Sequence, residues 1–146
     1  MPTYDKNIHY LKEAIFALLD TDTNLKTLLS GDNRIHHKDI PKEAIYPCIV
    51  YQIINDTDNP YNETKIDSQV TRANIRLTIF SNNSQTEISD NIEARLKTLL
   101  HGQRTLDTTK IICYSCVRDF LGEPIKDPNL LVWITPIRYR VTWATK

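Results

Sequence analysis

Residues 70–100 carry the sequence feature that most constrains the fold, a strand repeat followed directly by a helical repeat. In the first half, apolar and polar residues alternate one by one, which predicts a strand with one buried and one exposed face. The alternation breaks at 81–83, and Ser84 and Glu87 then form a capping-box pattern that predicts the start of a helix. We expect this helix to end near Gly102, because glycine suits a left-handed cap. Its apolar stripe consists of Ile88, Ile92, Leu96, Leu99 and Leu100.

The rest of the chain supplies further helices and strands. One helix is predicted from about Asp5 to Leu19, and a shorter one follows it and stops at Gly31. Pro136 lies within the last predicted strand and lacks a backbone donor, so we expect a sheet edge or a bulge there. The other predicted strands are a short edge strand at Arg34–His37, an interior strand at Pro47–Ile54 that pairs with 70–80, and strands at Lys110–Phe120 and about Leu130–Trp143.

Both main helices need an apolar surface, and the predicted sheet offers mainly one such face. The expected fold is therefore α+β: a two-layer sandwich in which two main helices pack on one face of a mainly antiparallel sheet of about four to five strands. The 146 residues contain no internal repeat and no linker-like stretch. We therefore expect a single domain over residues 1–146, large enough to bury a core without disulfides or metals.

The balance of charges argues against some classes of function. Eighteen Lys and Arg residues match eighteen Asp and Glu residues, so the formal net charge is zero. General nucleic-acid binders usually carry a basic excess, whereas a chain without net charge has little electrostatic protection against self-association. Only three glycines are present, and no phosphate-binding glycine motif occurs. No signal-peptide pattern or membrane-spanning apolar run is found, so we expect a protein of a reducing cytosol without membrane partners.

Few residues have the spacing of a catalytic or metal site. Cys113 and Cys116 form a CxxC pattern, but residues three apart on a strand are expected to point to opposite faces, which favours small buried thiols. His36 and His37 beside Asp39 could ligate a metal, yet neighbours on an extended segment diverge, which favours a surface loop. We therefore expect no catalytic residues, no cofactor and no metal, with an unrecognised hydrolase left open as an alternative.

Residues 55–69 form a polar segment between two predicted strands, and it is much longer than the usual hairpin loop of about two to five residues. Loops of this length inside a compact domain usually have a function or are disordered. We expect either a protruding arm that contacts a partner through Asp56, Asp58, Tyr61 and Lys65, or plain disorder. The aspartates also resemble part of a calcium loop, but its glycine turn and final glutamate are missing.

Four arginines lie at alternating positions of two predicted strands. Arg72 and Arg76 are on the polar side of one strand, and Arg138 and Arg140 are on the polar side of another. If these strands share a sheet with their polar sides aligned, the four guanidinium groups share a surface. That surface is either a solvated face balanced by acidic neighbours or an interface between subunits, since arginine is enriched at interfaces. The strand edges are further candidate contacts.

Six segments, taken in chain order, carry a family resemblance: Ile15–Asp20, Asn24–Leu29, Tyr46–Tyr51, Ile75–Ser81, the Ser84–Leu100 helix and Arg138–Thr142. Together they resemble the small tail-completion proteins of long-tailed bacteriophages, a family of head–tail joining, tail-terminator-like proteins. The resemblance covers nearly the whole chain. The sequence departs from the family pattern in its long 55–69 insertion and in Phe80, where another aromatic residue, often tryptophan, is expected.

The resemblance implies a non-enzymatic structural virion protein of the tail or neck, assembled in the host cytoplasm. Such a protein forms a ring, usually hexameric, at the head-proximal end of the tail, where it caps the tail tube and joins it to the head connector. Its implied partners are copies of itself, the tail tube protein and connector or adaptor proteins, while genome DNA passes through the lumen without specific recognition. The alternative is a small soluble binding module that uses the arginine-bearing sheet face for a nucleic acid or a protein ligand.

Overall fold

The computed structural model describes residues 4–55, 71–82, 87–129 and 131–145. Within these ranges the chain forms three helices and six strands. The helices are α1 (Tyr4–Thr21), α2 (Thr23–Leu29) and α3 (Glu87–Leu100). The strands are β1 (Ile35–His37), β2 (Cys48–Asn55), β3 (Thr71–Ser81), β4 (Ile111–Leu121), β5 (Ile125–Asp127) and β6 (Val132–Thr145).

The strands form one sheet in the order β1-β2-β3-β6-β4, and β5 pairs with β6 beside the end of β4. Only the β1–β2 pair is parallel, and the other pairs are antiparallel. The predicted α+β class and the mainly antiparallel sheet are confirmed. The sheet has six strands rather than four to five, because β5 lies in the segment that the sequence predicts as a turn.

The core lies between the three helices and one face of the sheet. Every second residue from Ala73 to Ser81 of β3 and from Thr135 to Trp143 of β6 is fully or almost fully buried there, as the alternation predicts. Leu11 and Ile15 of α1, Leu25 of α2 and Leu96 of α3 belong to the same apolar cluster as these strand residues. The strand residues of the cluster include Ala73, Ile75, Leu77, Ile79, Ile137, Tyr139, Val141 and Trp143. The helices therefore pack on one side of the sheet, as expected, and we call the other side the open face.

The helix termini follow the predicted signals with one difference. Ser30 takes the left-handed conformation after α2, with φ of 64°, so the turn begins one residue before the predicted stop at Gly31. Gly102 follows α3 with φ of 69°, as the sequence predicts. Ser84 of the predicted capping box lies outside the described residues.

Pro136 marks neither a sheet edge nor a break in the β3–β6 register, so the prediction of an edge or a bulge there is wrong. It lies in β6, which pairs with β3 on one side and with β4 and β5 on the other. The carbonyl of Pro136 accepts a hydrogen bond of 2.8 Å from the backbone of Gly122. In an antiparallel pair, the N–H and C=O of one residue point to the same side. The missing donor of Pro136 therefore faces the gap between β4 and β5, and no bond to β3 is lost.

The predicted divergence of Cys113 and Cys116 is also wrong. Cys113 pairs with Trp143 and Cys116 with Val141, and a bulge between Cys113 and Ser115 adds one residue to β4. Both thiols therefore point to the helix side, where they are buried and free. Burial raises the pKa of Cys113 to about 11 and that of Cys116 to about 12, so both stay protonated near neutral pH. The expectation of small buried thiols is confirmed.

Candidate interaction surface on the open face

The register of β3 and β6 brings the four predicted arginines to the open face. Arg76 lies directly opposite Arg138, while Arg140 pairs with Asn74 and Arg72 with Thr142. Directly paired residues share a face, and diagonal neighbours lie about 7–8 Å apart. The four arginines therefore form one cluster in the middle and at one end of the sheet. Like charges placed opposite each other destabilise a sheet unless something compensates them.

Asp119 of β4 compensates half of this cluster. Its Oδ1 accepts a hydrogen bond of 2.9 Å from Nε of Arg138, and its Oδ2 lies 3.3 Å from Nη2 of Arg140. A register shift between Arg118 and Phe120 places the extra residue of β4 here. The bulge re-aims the carboxylate towards the two arginines of β6. We use the name arginine patch for Arg72, Arg76, Arg138 and Arg140 together with Asp119.

The two arginines of β3 are not compensated in this way. Arg72 and Arg76 are exposed, and neither makes an ion pair with any of the residues that the structure describes. Four guanidinium groups therefore face one carboxylate, which leaves the arginine patch with a net charge of +3. The expected balance by acidic neighbours holds only for the β6 side of the patch.

Apolar side chains of β4 border the arginine patch on the same face. Val117 pairs with Arg140 and Phe120 with Arg138, and the two apolar side chains are 44% and 48% exposed. The guanidinium of Arg138 lies 5.8 Å from the ring centroid of Phe120, within reach of a cation–π contact. Exposed aromatic and arginine side chains side by side are typical of protein–protein interfaces.

The far end of the open face is covered by the chain itself. Cys48 and Val132 point to this face but are almost fully buried. Tyr46 lies near them, and its pKa is raised mainly by burial, with the charges of Cys48 and Asp127 adding to the shift. The face is therefore open mainly around the arginine patch.

The outer edge of β4 is largely occupied by the segment that follows α3. Gly102 donates a backbone hydrogen bond of 2.7 Å to the carbonyl of Cys116, and Nε of Arg104 donates one of 3.1 Å to that of Cys113. The backbone N–H of Arg118 donates to Nδ1 of His101 at 3.1 Å. Strand addition along this stretch is blocked, so side chains of the open face are better placed for contacts than this strand edge.

The other sequence candidates do not form a reactive site in the described part of the chain. His36 and His37 have a pKa lowered mainly by burial, and no group of three or more His, Cys, Asp or Glu side chains there could hold a metal ion. A shallow groove between α2 and α3 has no converging ionisable groups, since Arg95 is engaged by Asp22. No described helix is long and apolar enough to cross a membrane.

Asp56, Asp58, Tyr61 and Lys65 lie outside the described residues, so the expectation of an arm at 55–69 stays a prediction. Sequence reasoning also missed Asp119, Val117 and Phe120 as neighbours of the arginines. Two bulges interrupt the alternation of inward and outward side chains along β4. The sequence therefore does not tell on which face of the sheet these three residues lie.

Comparison with known protein families identifies the family of this chain. The sequence model of the family described as "Tail completion protein gp17" matches residues 13–113, well over half of the chain. No curated protein sequence matches significantly. One similar solved structure is a chain from the "Virion of native gene transfer agent (GTA) particle", with a TM-score of 0.65, 8% identity, and coverage of 93% of this chain and 95% of that chain.

Two further solved structures are similar. One has a TM-score of 0.63 at 10% identity and covers 94% of each chain. The other, titled "Structure of bacteriophage SPP1 gp17 protein", has 14% identity and covers 92% of this chain and 88% of that chain, with a TM-score of 0.46. At these identities, the two matches above 0.6 indicate a shared fold.

Proposed function

Since this chain belongs to the tail completion protein gp17 family and is thus a structural protein of the bacteriophage tail or neck, we propose that it forms a ring at the head-proximal end of the tail. The ring has six subunits, caps the tail tube and joins it to the head connector. The subunits act by burying surface against each other and against these neighbours, without catalysing a reaction. Genome DNA passes through the lumen without sequence recognition.

The observation that carries this proposal is the arginine patch with its apolar border. Arg72 and Arg76 are exposed cations without an ion-pair partner in the described part of the chain, and Phe120 and Val117 expose apolar surface beside them. A surface of this composition is stabilised when a partner covers it. The zero net charge of the chain also lowers the electrostatic cost of bringing copies together.

The charge of this surface supports a head-to-tail contact between subunits. The arginine patch is not self-complementary, because its charge is positive over both strands, so a two-fold contact would set like charges against each other. A head-to-tail contact instead joins the patch to a different surface of the neighbouring copy. Such contacts form a ring when the rotation between neighbours closes.

Light scattering coupled to size-exclusion chromatography tests the proposal. We expect a species of six subunits at high protein concentration, or after addition of the tail tube protein or the head connector protein. Negative-stain images of that species should show rings. A strict monomer under all three conditions would contradict the proposal.

A second candidate is a binding module that uses the same patch for nucleic acid, and the unpaired Arg72 and Arg76 favour it. Filter binding with duplex DNA at several salt concentrations separates the two. If the patch binds DNA phosphates, the logarithm of the affinity should fall linearly with the logarithm of the salt concentration, with a slope of about −0.9 for each phosphate neutralised. We expect weak or undetectable binding at physiological salt, since the chain has no net positive charge.

A further inference from the structure

We infer that the arginine patch of one subunit binds residues 56–70 of the adjacent subunit. This inference rests on the proposed ring and names the two surfaces that form its head-to-tail contact. The site is the patch on the described open face, and its occupant is the acidic segment that joins β2 to β3 in a second copy of the chain.

The charges of the two surfaces are complementary. The arginine patch carries four guanidinium groups and the carboxylate of Asp119, a net charge of +3. Residues 56–70 carry four carboxylates and one ammonium group, a net charge of −3. The charged residues of the segment are Asp56, Asp58, Glu63, Lys65 and Asp67. The net charge of the whole chain is zero, but the patch and the segment carry local charges of opposite sign. Surfaces of opposite charge are typical of complementary interfaces.

The attachment of the segment favours a neighbouring subunit over its own. β2 ends at Asn55 and β3 begins at Thr71, so the segment leaves and returns at the end of the sheet that carries Arg72. Arg76 lies five residues further along β3, about 17 Å from that end at the usual rise per residue. To reach its own Arg76 and Arg138, the segment would have to turn back over the sheet. In the proposed head-to-tail contact, a segment that extends past the end of the sheet contacts Arg76 and Arg138 of the adjacent subunit without this turn.

The apolar border of the patch also has a counterpart in the segment. Phe120 and Val117 are about half exposed beside Arg138 and Arg140. The segment contains Tyr61 and Ile66 among its carboxylates. A tyrosine and an aliphatic side chain between acidic residues match an arginine patch that has an aromatic and an aliphatic neighbour.

Charge-reversal variants test the contact. Arg72→Glu with Arg76→Glu reverses the β3 half of the patch, and Asp56→Lys with Asp58→Lys reverses part of the segment. We expect each double variant to need an at least about tenfold higher protein concentration for half-assembly than the natural chain, since several exposed ion pairs are lost at once. Raising the salt concentration should weaken assembly of the natural chain in the same direction.

Mixing the two double variants separates a contact between subunits from one within a subunit. In a mixed ring, the unchanged acidic segment of the arginine-to-glutamate variant meets the unchanged arginine patch of the aspartate-to-lysine variant. At the other type of contact, the lysines of the altered segment meet the glutamates of the altered patch. We expect the mixture to assemble at a lower concentration than either variant alone. A denaturing mass spectrum of the isolated ring fraction should show equal amounts of both variants. A mixture that assembles no better than its components would overturn the inference.

A matched control keeps the charge change but leaves the patch intact. Lys42→Glu with Lys97→Glu changes the net charge by the same amount as Arg72→Glu with Arg76→Glu, at two exposed positions that do not belong to the arginine patch. We expect this variant to assemble like the natural chain, and circular dichroism should show all variants folded. If the natural chain forms rings and the patch variants form them equally well, the inference fails while the proposed function stands. If the natural chain forms no ring with its partners, the proposed function fails.

Discussion

At the scale of single residues, Asp22 connects two helices. Its Oδ2 accepts hydrogen bonds of 2.9 Å from the backbone of Leu25, as the N-cap of α2, and from Nε of Arg95 in α3. Its Oδ1 accepts a third of 2.7 Å from Nη2 of Arg95. Asp22→Ala removes the cap as well as the cross-link, so we expect the free energy of unfolding to fall by at least about 1 kcal/mol. Urea denaturation measures this loss.

The control for this prediction is Asp22→Asn, which keeps a capping oxygen but loses the charge. We expect it to fall between the natural chain and Asp22→Ala in stability, because asparagine is as good an N-cap as aspartate. An Asp22→Ala variant as stable as the natural chain would show that neither the cap nor Arg95 contributes.

The charge of Asp22 also predicts a dependence of stability on pH. The hydrogen bond from Arg95 is the main cause that lowers the pKa of this carboxyl below its ordinary value of 3.8, and the bond from Leu25 acts in the same direction. A lowered pKa in the folded state means that the stabilisation is present above the ordinary pKa and is lost as pH falls through the folded-state pKa.

Urea denaturation of the natural chain and of Asp22→Asn at pH 7 and at pH 3 tests this dependence. The asparagine cannot titrate, so we expect the difference in free energy of unfolding between the two chains to be larger at pH 7 than at pH 3. An equal difference at both pH values would contradict the assigned role of the charge.

At the scale of elements, the junction of β4 and β5 depends on Gly122. A Cβ added at this residue would lie 2.6 Å from Cγ and 3.1 Å from Cδ of Pro136. We expect Gly122→Ala to destabilise the protein by about 1–3 kcal/mol, because the ring of Pro136 and the backbone bond between the two residues leave little room for movement. Thermal and urea unfolding measure the effect.

Two variants test this cause. Gly122→Ala combined with Pro136→Ala should cost less than the sum of the two single changes, since the second change removes the atoms that clash. Gly102→Ala serves as a contrast, because a Cβ there would meet no atom within 4 Å and the cost comes only from the φ of 69°. Full additivity in the double variant would mean that contact with the ring of Pro136 is not the cause.

At the scale of the whole molecule, the apolar border of the arginine patch should affect assembly more than folding. Val117→Ser with Phe120→Ser removes exposed apolar surface next to Arg138 and Arg140. We expect a stability change within about 0.5 kcal/mol for each exposed side chain, but a clear loss of ring formation in light scattering.

The matched control is Ile45→Ser with Leu131→Ser, two apolar side chains that are 61% and 67% exposed away from the patch. We expect this variant to assemble like the natural chain. Equal loss of assembly in both variants would indicate general surface hydrophobicity rather than a contact at the open face.

Much of this architecture is local in origin and was therefore readable in the sequence. The alternation around Ile75 and the apolar stripe around Leu96 identify a strand and a helix, because each repeat depends only on how a helix or a strand orders its own side chains. The same reasoning assigns Arg72 and Arg76 to the polar side of β3. It does not find Asp119 or Phe120, because bulges in β4 shift the alternation there.

The sequence by itself therefore determined the number of main helices, most of the strands, and the polar and apolar sides of β3 and β6. Only the tertiary structure decided that β6 lies between β3 and β4, that Pro136 fits within an interior strand, and that Cys113 and Cys116 share a face. The physical reason is that periodicity is a property of neighbouring residues, whereas strand order, bulges and shared charges such as that of Asp119 depend on partners far apart in the chain.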